Sequence, residues 1–333
     1  MLGVAASYAS LTGQRWAIAT IVAAQSSVPR PVGTSMLVGA DGSVIGSLSG
    51  GCVESAVYEA CRDTLADGRP RREVYGWSTA TAWQVGLMCG GRIEVLIEVV
   101  PRLDADQAAL LDADTPAALI RRTDGRTDWR VVSLPLDRAA SSDPATFVQM
   151  RRPAPRALVF GSNDIAAAVV AQFALLDYRI SVVDARARFT DPARYPAAQV
   201  VVDQPGRWFA AEVAARAVDE RTVILCLHHE ARFETPVLTQ ALALPVAYVG
   251  AMGSRRAHAE RVERLRAAGL DDRALAALHS PIGLDLGAVS PAEIAVAVAA
   301  EVVAAVRGHG AAPLRETTGA LHDATRQEIP AWT

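Results

Sequence analysis

From Trp16 onward, short apolar runs alternate with turn residues at a spacing that predicts strands before helices. WAIATIVAAQ (16–25), TSMLVG (34–39) and SVIGSL (43–48) read as strands, the first two joined by the Pro-containing turn SSVPRPVG and the last two by Asp41-Gly42. An Asp-Gly pair between short apolar strands is a strong hairpin signal. Gly50-Gly51 then leads into an amphipathic helix, Cys52 to Ala66, with Val53, Val57, Ala60, Cys61 and Thr64 on one face and Gly68 closing it. A second glycine cluster, GLMCGG (86–91), runs into a strand, RIEVLIEVV, that Pro101 ends. Residues 102–150 carry weaker patterns, a short helix near Asp106–Asp112 and a strand over 130–134.

RRPAPR (151–156) reads as a linker. Beyond it, RALVFGS, RISVVDAR, AQVVVD, RTVILCLHH and PVAYVGAMGS are nearly continuous apolar runs, the kind buried on both faces of a parallel sheet. Ala-rich helical stretches such as DIAAAVVAQFALL separate them, and Ser290-Pro291 with Glu293 opens a last long helix. The predicted fold class is therefore α/β: an N-terminal α+β domain (1–150), a Rossmann-like doubly wound parallel-sheet domain (157–310) with a C-terminal helical extension, and a tail (311–333).

Composition narrows the chemistry. The 333 residues suffice for two domains with their own cores, and a net charge of −3 gives no reason to expect nucleic acid or an anionic membrane as partner. All 33 basic residues are Arg, because the chain has no Lys. That excludes a lysine Schiff base, a pyridoxal phosphate anchor and a Walker A lysine. The first 30 residues do not resemble an export signal, so a cytoplasmic location and free thiols are expected for Cys52, Cys61, Cys89 and Cys226. No CxxC pair is present, and no metal site is expected.

Two of the cysteines are candidates for chemistry. Cys52 follows Gly50 and Gly51 at a predicted helix N-terminus, where free amides favour a thiolate or hold an oxyanion. Cys89 stands before Gly90 and Gly91 in a loop whose backbone can approach a ligand closely. Arg30, in a rigid Pro-Arg-Pro turn, is a candidate anion partner. Cys61 and Cys226 lie in apolar patterns and read as buried packing residues.

In the second domain, Gly161 opens the loop where a dinucleotide-binding protein carries GxGxxG, but Asn163 and Ala166 replace its later glycines and Asp164 adds a negative charge. Asp184 fits the ribose acceptor, followed by Arg186 and Arg188. His228-His229-Glu230 end the fourth strand of this domain, and Gly250, Gly253, Ser254 and Arg255 end the fifth.

These stretches together resemble the XdhC/CoxI family, accessory factors of molybdenum hydroxylases such as xanthine dehydrogenase and carbon monoxide dehydrogenase. The likeness rests on SSVPRPVGTSMLV, GSLSGGCVE and GLMCGGRIEVLIE in the first half, and on VVDAR, HHEARFE, YVGAMGSRR and PIGLDLGAVSPAEIAVAVAAE in the second. It implies a chain, not catalytic itself, that binds molybdenum cofactor (molybdopterin) transiently and assists its sulfuration and insertion. Its implied partners are a molybdenum hydroxylase apoenzyme, a second copy in a homodimer and, as a further candidate, a cysteine desulfurase. The resemblance places Cys52, Cys89 and His229 at family positions, whereas Ser35 stands where relatives often carry Lys and Glu230 where they carry Asp. Two other readings stay open: an NAD(P)-dependent oxidoreductase using the second domain, and a scaffold that holds no cofactor.

Overall fold

The computed structural model describes residues 11, 13–26, 28–76, 91–112, 115–124, 128–133, 145–228 and 230–318, so Cys89, Gly90 and His229 lie outside the described residues. The chain divides into two compact units, with cuts between Pro153 and Ala154 and between Pro313 and Leu314.

In the first unit, β1 (Trp16–Gln25), β2 (Ser35–Gly39) and β3 (Val44–Gly46) form the predicted antiparallel meander. Helix α1 (Glu54–Asp67) follows, then β4 (Arg71–Gly76) and β5 (Arg92–Val99), giving the sheet order β3-β2-β1-β5-β4. β4 escapes the hydrophobic pattern because RREVYG is a charged edge strand with little to bury. α2 (Ala105–Asp112) precedes a second antiparallel sheet of β6 (Ala117–Arg122), β7 (Trp129–Ser133) and β8 (Thr146–Arg151), in the order β7-β6-β8.

The alternation in β1 explains how these parts stack. Ala17, Ala19 and Ile21 face Val57, Cys61 and Leu65 of α1, whereas Trp16 and Ile18 face Leu111, Leu119, Trp129 and Val131. Both faces of the strand are thus covered, which is why it reads as one continuous apolar run.

The second unit is the doubly wound sheet the sequence predicts. Its elements are β9 (Arg156–Phe160), α3 (Asp164–Leu175), β10 (Arg179–Asp184), β11 (Ala198–Val202), α4 (Pro205–Ala214), β12 (Val223–Cys226), α5 (Ala231–Ala241), β13 (Tyr248–Ala251), α6 (Arg255–Ala267), α7 (Asp272–Ala276), β14 (Leu278–His279) and α8 (Pro291–Arg307). All neighbours are parallel, in the order β11-β10-β9-β12-β13-β14. Winding reverses between β9 and β12, the switch point outside which such sheets bind ligands. One apolar layer joins the sheet to α3 and α8, and another joins its opposite face to α4, α5 and α6. The predicted capping box of α8 forms, with Ser290 and Glu293 exchanging hydrogen bonds.

Candidate functional site

Strand register gathers the candidate residues of the first unit at one end of the five-stranded sheet. β1 ends at Gln25 opposite Arg92, and β4 ends at Gly76 opposite the same Arg92. β2 begins at Ser35, and β3 ends at Gly46 opposite Met36. Because these pairings are antiparallel, the Arg30 turn, the Cys52 loop and both ends of the segment that contains Cys89 leave the sheet on one side. Val28 from the turn and Leu48 and Val53 from the loop meet in one buried cluster, with the half-buried Cys52 packed against it. Gly91 closes tightly on the β4 end: a Cβ on Gly76 would come 2.4 Å from its carbonyl oxygen.

Arg30 is exposed and carries no hydrogen bond or ion pair to another described residue. Its turn is fixed on both sides, with Gly33 N donating to Ile21 O (2.8 Å) and Ile21 N to Thr34 O (2.9 Å). A buried polar chain braces it further. Glu98 accepts from Arg121 Nη1 (3.1 Å), Arg121 Nη2 donates to Gln149 Oε1 (3.0 Å), and Gln149 Nε2 donates to Gly33 O (2.5 Å). Thr20 and Ser35 share a hydrogen bond at 2.9 Å beside it, so position 35, where the resemblance led one to expect Lys, is a buried hydroxyl. Arg121 lies wholly buried between the faces of Trp129 and Phe147. The sequence offered a signal for this chain in Glu98, a charge at an inward position of an apolar strand.

The Cys52 loop corrects one expectation. The helix begins at Glu54 instead of Cys52, and the amides ahead of it are not free for a thiolate or an oxyanion. Gly50 and Gly51, at φ of +79° and +123°, turn the chain so that successive N–H groups converge on the Glu54 carboxylate. Oε1 accepts from the amides of Leu48 (3.1 Å), Ser49 (2.7 Å) and Gly50 (2.9 Å), and Oε2 from those of Gly51 (2.8 Å) and Val53 (3.2 Å). Ser47 and Ser49 hydroxyls complete the set at 2.6 and 2.5 Å. Burial opposes the charge on Glu54, but the donors outweigh it and hold the carboxyl far below its ordinary range. Cys61 and Cys226 are buried as expected, and burial pushes the Cys61 thiol up to about 12.

The second unit places Gly161, Asp184, Arg186 and His228 together at its switch point. Gly161, at φ +111°, packs directly on the chain after β12: a Cβ there would lie 2.9 Å from His228 Cβ and 3.1 Å from the Leu227 carbonyl carbon. Asn163 then closes the gap between β9 and β12. Its Oδ1 caps α3 by accepting from Ala166 N (2.8 Å), and its Nδ2 donates to Leu227 O (2.7 Å). Asp184 accepts from Ser162 N (2.8 Å) and from Arg186 at its amide, Nε and Nη2. Although burial pushes the Asp184 carboxyl up, the bonds from Arg186 and Ser162 hold it below its ordinary value. Asp164 pairs with Arg194.

These residues do not fit NAD(P). The pyrophosphate would need the α3 N-terminus that Asn163 caps and Asp164 makes negative, and the ribose would need a carboxylate that Arg186 and Ser162 already engage. His228 is the group that pattern reading passed over in favour of His229. It is 6% exposed, neither ring nitrogen has a hydrogen-bond partner among the described residues, and burial lowers its basicity.

The fifth-strand residues of this unit serve the fold in different ways. Gly250 makes room for Ile282, which a Cβ would meet at 2.5 Å. Ser254 caps α6 by accepting from Ala257 N (3.1 Å), and Arg255 stands exposed in its first turn. Buried Arg261, paired with Glu234, donates to Met252 O (2.7 Å) just before Gly253. Among the described residues no cluster of His, Cys, Asp and Glu suits a metal ion, and no helix is long and apolar enough to cross a membrane.

Residues 157–302 match the family described as the XdhC Rossmann domain, and residues 10–76 match the XdhC and CoxI family. The chain belongs to the XdhC/CoxI family. Among curated proteins it is similar to "Molybdenum cofactor insertion chaperone PaoD" of Escherichia coli (strain K12), at 28% identity over 90% of this chain and 86% of that protein. A probable xanthine dehydrogenase subunit of Bacillus subtilis (strain 168) is 26% identical over 86% of this chain and 92% of that protein. "Uncharacterized protein YqeB" of E. coli is 26% identical, and there the match spans 43% of the longer protein. A crystal structure described as a xanthine dehydrogenase from Bacillus halodurans shares the fold, with a TM-score of 0.72 and 24% identity over 91% of this chain and 95% of the other.

Proposed function

We propose that this protein is a maturation factor that binds molybdenum cofactor and assists its sulfuration and insertion into a molybdenum hydroxylase, acting in the cytoplasm as a homodimer with a cysteine desulfurase as sulfur source. The observation that carries the reading is the convergence of Arg30, Cys52 and the two ends of the Cys89 segment at one end of the first unit's sheet. An exposed guanidinium on a braced turn suits the anionic phosphate of a molybdopterin, and a soft thiol at the same end of the sheet suits a sulfur-bearing metal centre. Since Glu54 holds the loop amides, anion recognition falls to Arg30. The similarity to a molybdenum cofactor insertion chaperone supports the same reading.

The test is to isolate the protein anaerobically from molybdate-fed cells, then assay molybdenum and the fluorescence of oxidised pterin. Cofactor that copurifies with the wild type and is lost in Cys52→Ala, Cys89→Ala or Arg30→Ala supports the proposal. A cofactor-free protein that still restores hydroxylase activity would replace it with the scaffold reading.

A further inference from the structure

We infer that Glu54 is the positioning residue of the Cys52 site, holding the sulfur in place from inside the loop instead of contacting a ligand; this deepens the proposal above and rests on it. Among the described residues nothing lies within 4 Å of where a Cβ on Gly50 or Gly51 would stand, so their packing does not require glycine there. Their left-handed backbone is what turns the N–H groups of 48–51 inward, and those groups meet a carboxylate of the chain itself. Five amides and two hydroxyls on one carboxylate exceed what a helix start needs, since one cap typically satisfies one or two amides.

The link to the sulfur runs through Ser49. Its hydroxyl spends its proton on Glu54 Oε2 (2.5 Å), which leaves the oxygen lone pairs to accept from the amides of Cys52 (2.9 Å) and Val53 (3.1 Å). With Glu54 ionised, the direction of the Ser49 hydroxyl is set and the Cys52 backbone is pinned. A glutamine is close in shape, but its amide nitrogen would face donors and leave several of them unpaired. The loop would open around Cys52 while Val57, Cys61 and Leu65 kept α1 on the sheet.

The experiment uses the full chain with Glu54→Gln, Glu54→Asp and Ser49→Ala. Iodoacetamide alkylation of Cys52 is followed by peptide mass spectrometry across neutral pH, with buried Cys61 as an internal control for folding. Glu54→Gln should raise the Cys52 rate by about tenfold, the factor of a single lost charge-assisted hydrogen bond. Ser49→Ala should raise it with the Glu54 charge intact, Glu54→Asp should fall between, and Cys61 should stay unreactive. Retention of copurified molybdopterin should drop in parallel. Unchanged Cys52 reactivity in a folded Glu54→Gln protein would overturn the inference, and Ser49→Ala decides it if that variant fails to fold. The alkylation arm needs no cofactor: if no sample copurifies molybdopterin the cofactor reading fails, and if Cys52→Ala keeps full cofactor the part assigned to Cys52 fails, while the positioning of Cys52 is judged on its own alkylation result.

Discussion

The two loop glycines of the two units make opposite demands, and substituting each with alanine measures the difference. Gly161→Ala forces an L-residue to φ +111° and drives a methyl to 2.9 Å from His228 Cβ, 3.0 Å from His228 N and 3.1 Å from the Leu227 carbonyl carbon. All three neighbours are at or beside backbone, so the β9 and β12 ends must separate. The left-handed backbone costs about 1–2 kcal/mol and the overpacking about 1–3 kcal/mol, so the whole should reach about 2–5 kcal/mol. Gly50→Ala meets none of the described residues within 4 Å at φ +79° and should cost only the backbone part, about 1–2 kcal/mol. Urea titration read by pulsed hydrogen exchange and mass spectrometry separates peptides of β9–β12 from those of β1–β5, with equal slopes required for the comparison. A loss below about 1 kcal/mol for Gly161→Ala, with an unchanged slope, would refute the packing account. It would mean that the loop has room for a side chain and that Gly161 answers to something other than His228.

Other outcomes follow from the same geometry. His228 is buried, so its folded pKa lies below the ordinary 6.5. The unfolded chain then takes up the proton first, and stability should fall as pH drops through 6.5 and level off below the folded value; in His228→Asn this part of the slope should vanish, and an identical slope would count against it. Glu98→Met alone strands Arg121 inside the protein and should cost about 3–5 kcal/mol in urea unfolding, whereas Glu98→Met with Arg121→Met should recover most of it; equal losses would show that the pair is not coupled. NADH fluorescence should not change on mixing with the protein, and saturable enhancement would contradict the closure of the switch point by Asn163.

The sequence alone was sufficient where local rules act. The Asp41-Gly42 hairpin, the apolar parallel strands and the Ser290–Glu293 capping box each follow from chemistry within a few residues, and each stands in the structure. The family likewise was legible from contiguous strings such as GSLSGGCVE. The charged edge strand β4 was not, because few of its residues are apolar and its partner β5 lies beyond a long intervening segment.

Tertiary structure alone decided who satisfies whom. Linear order suggested that Cys52 would profit from the helix amides, yet a carboxylate two residues on reaches them first because the left-handed glycines fold the loop back on it. Asp184 reads as a ribose acceptor by spacing, but whether a carboxylate is free depends on where Arg186 and the Ser162 amide come to rest. Spacing fixes which groups are near in sequence. Hydrogen bonds are short and directional, so their assignment waits on the fold that brings Glu54 to its amides, Gln149 to the Arg30 turn and Asn163 across the switch point.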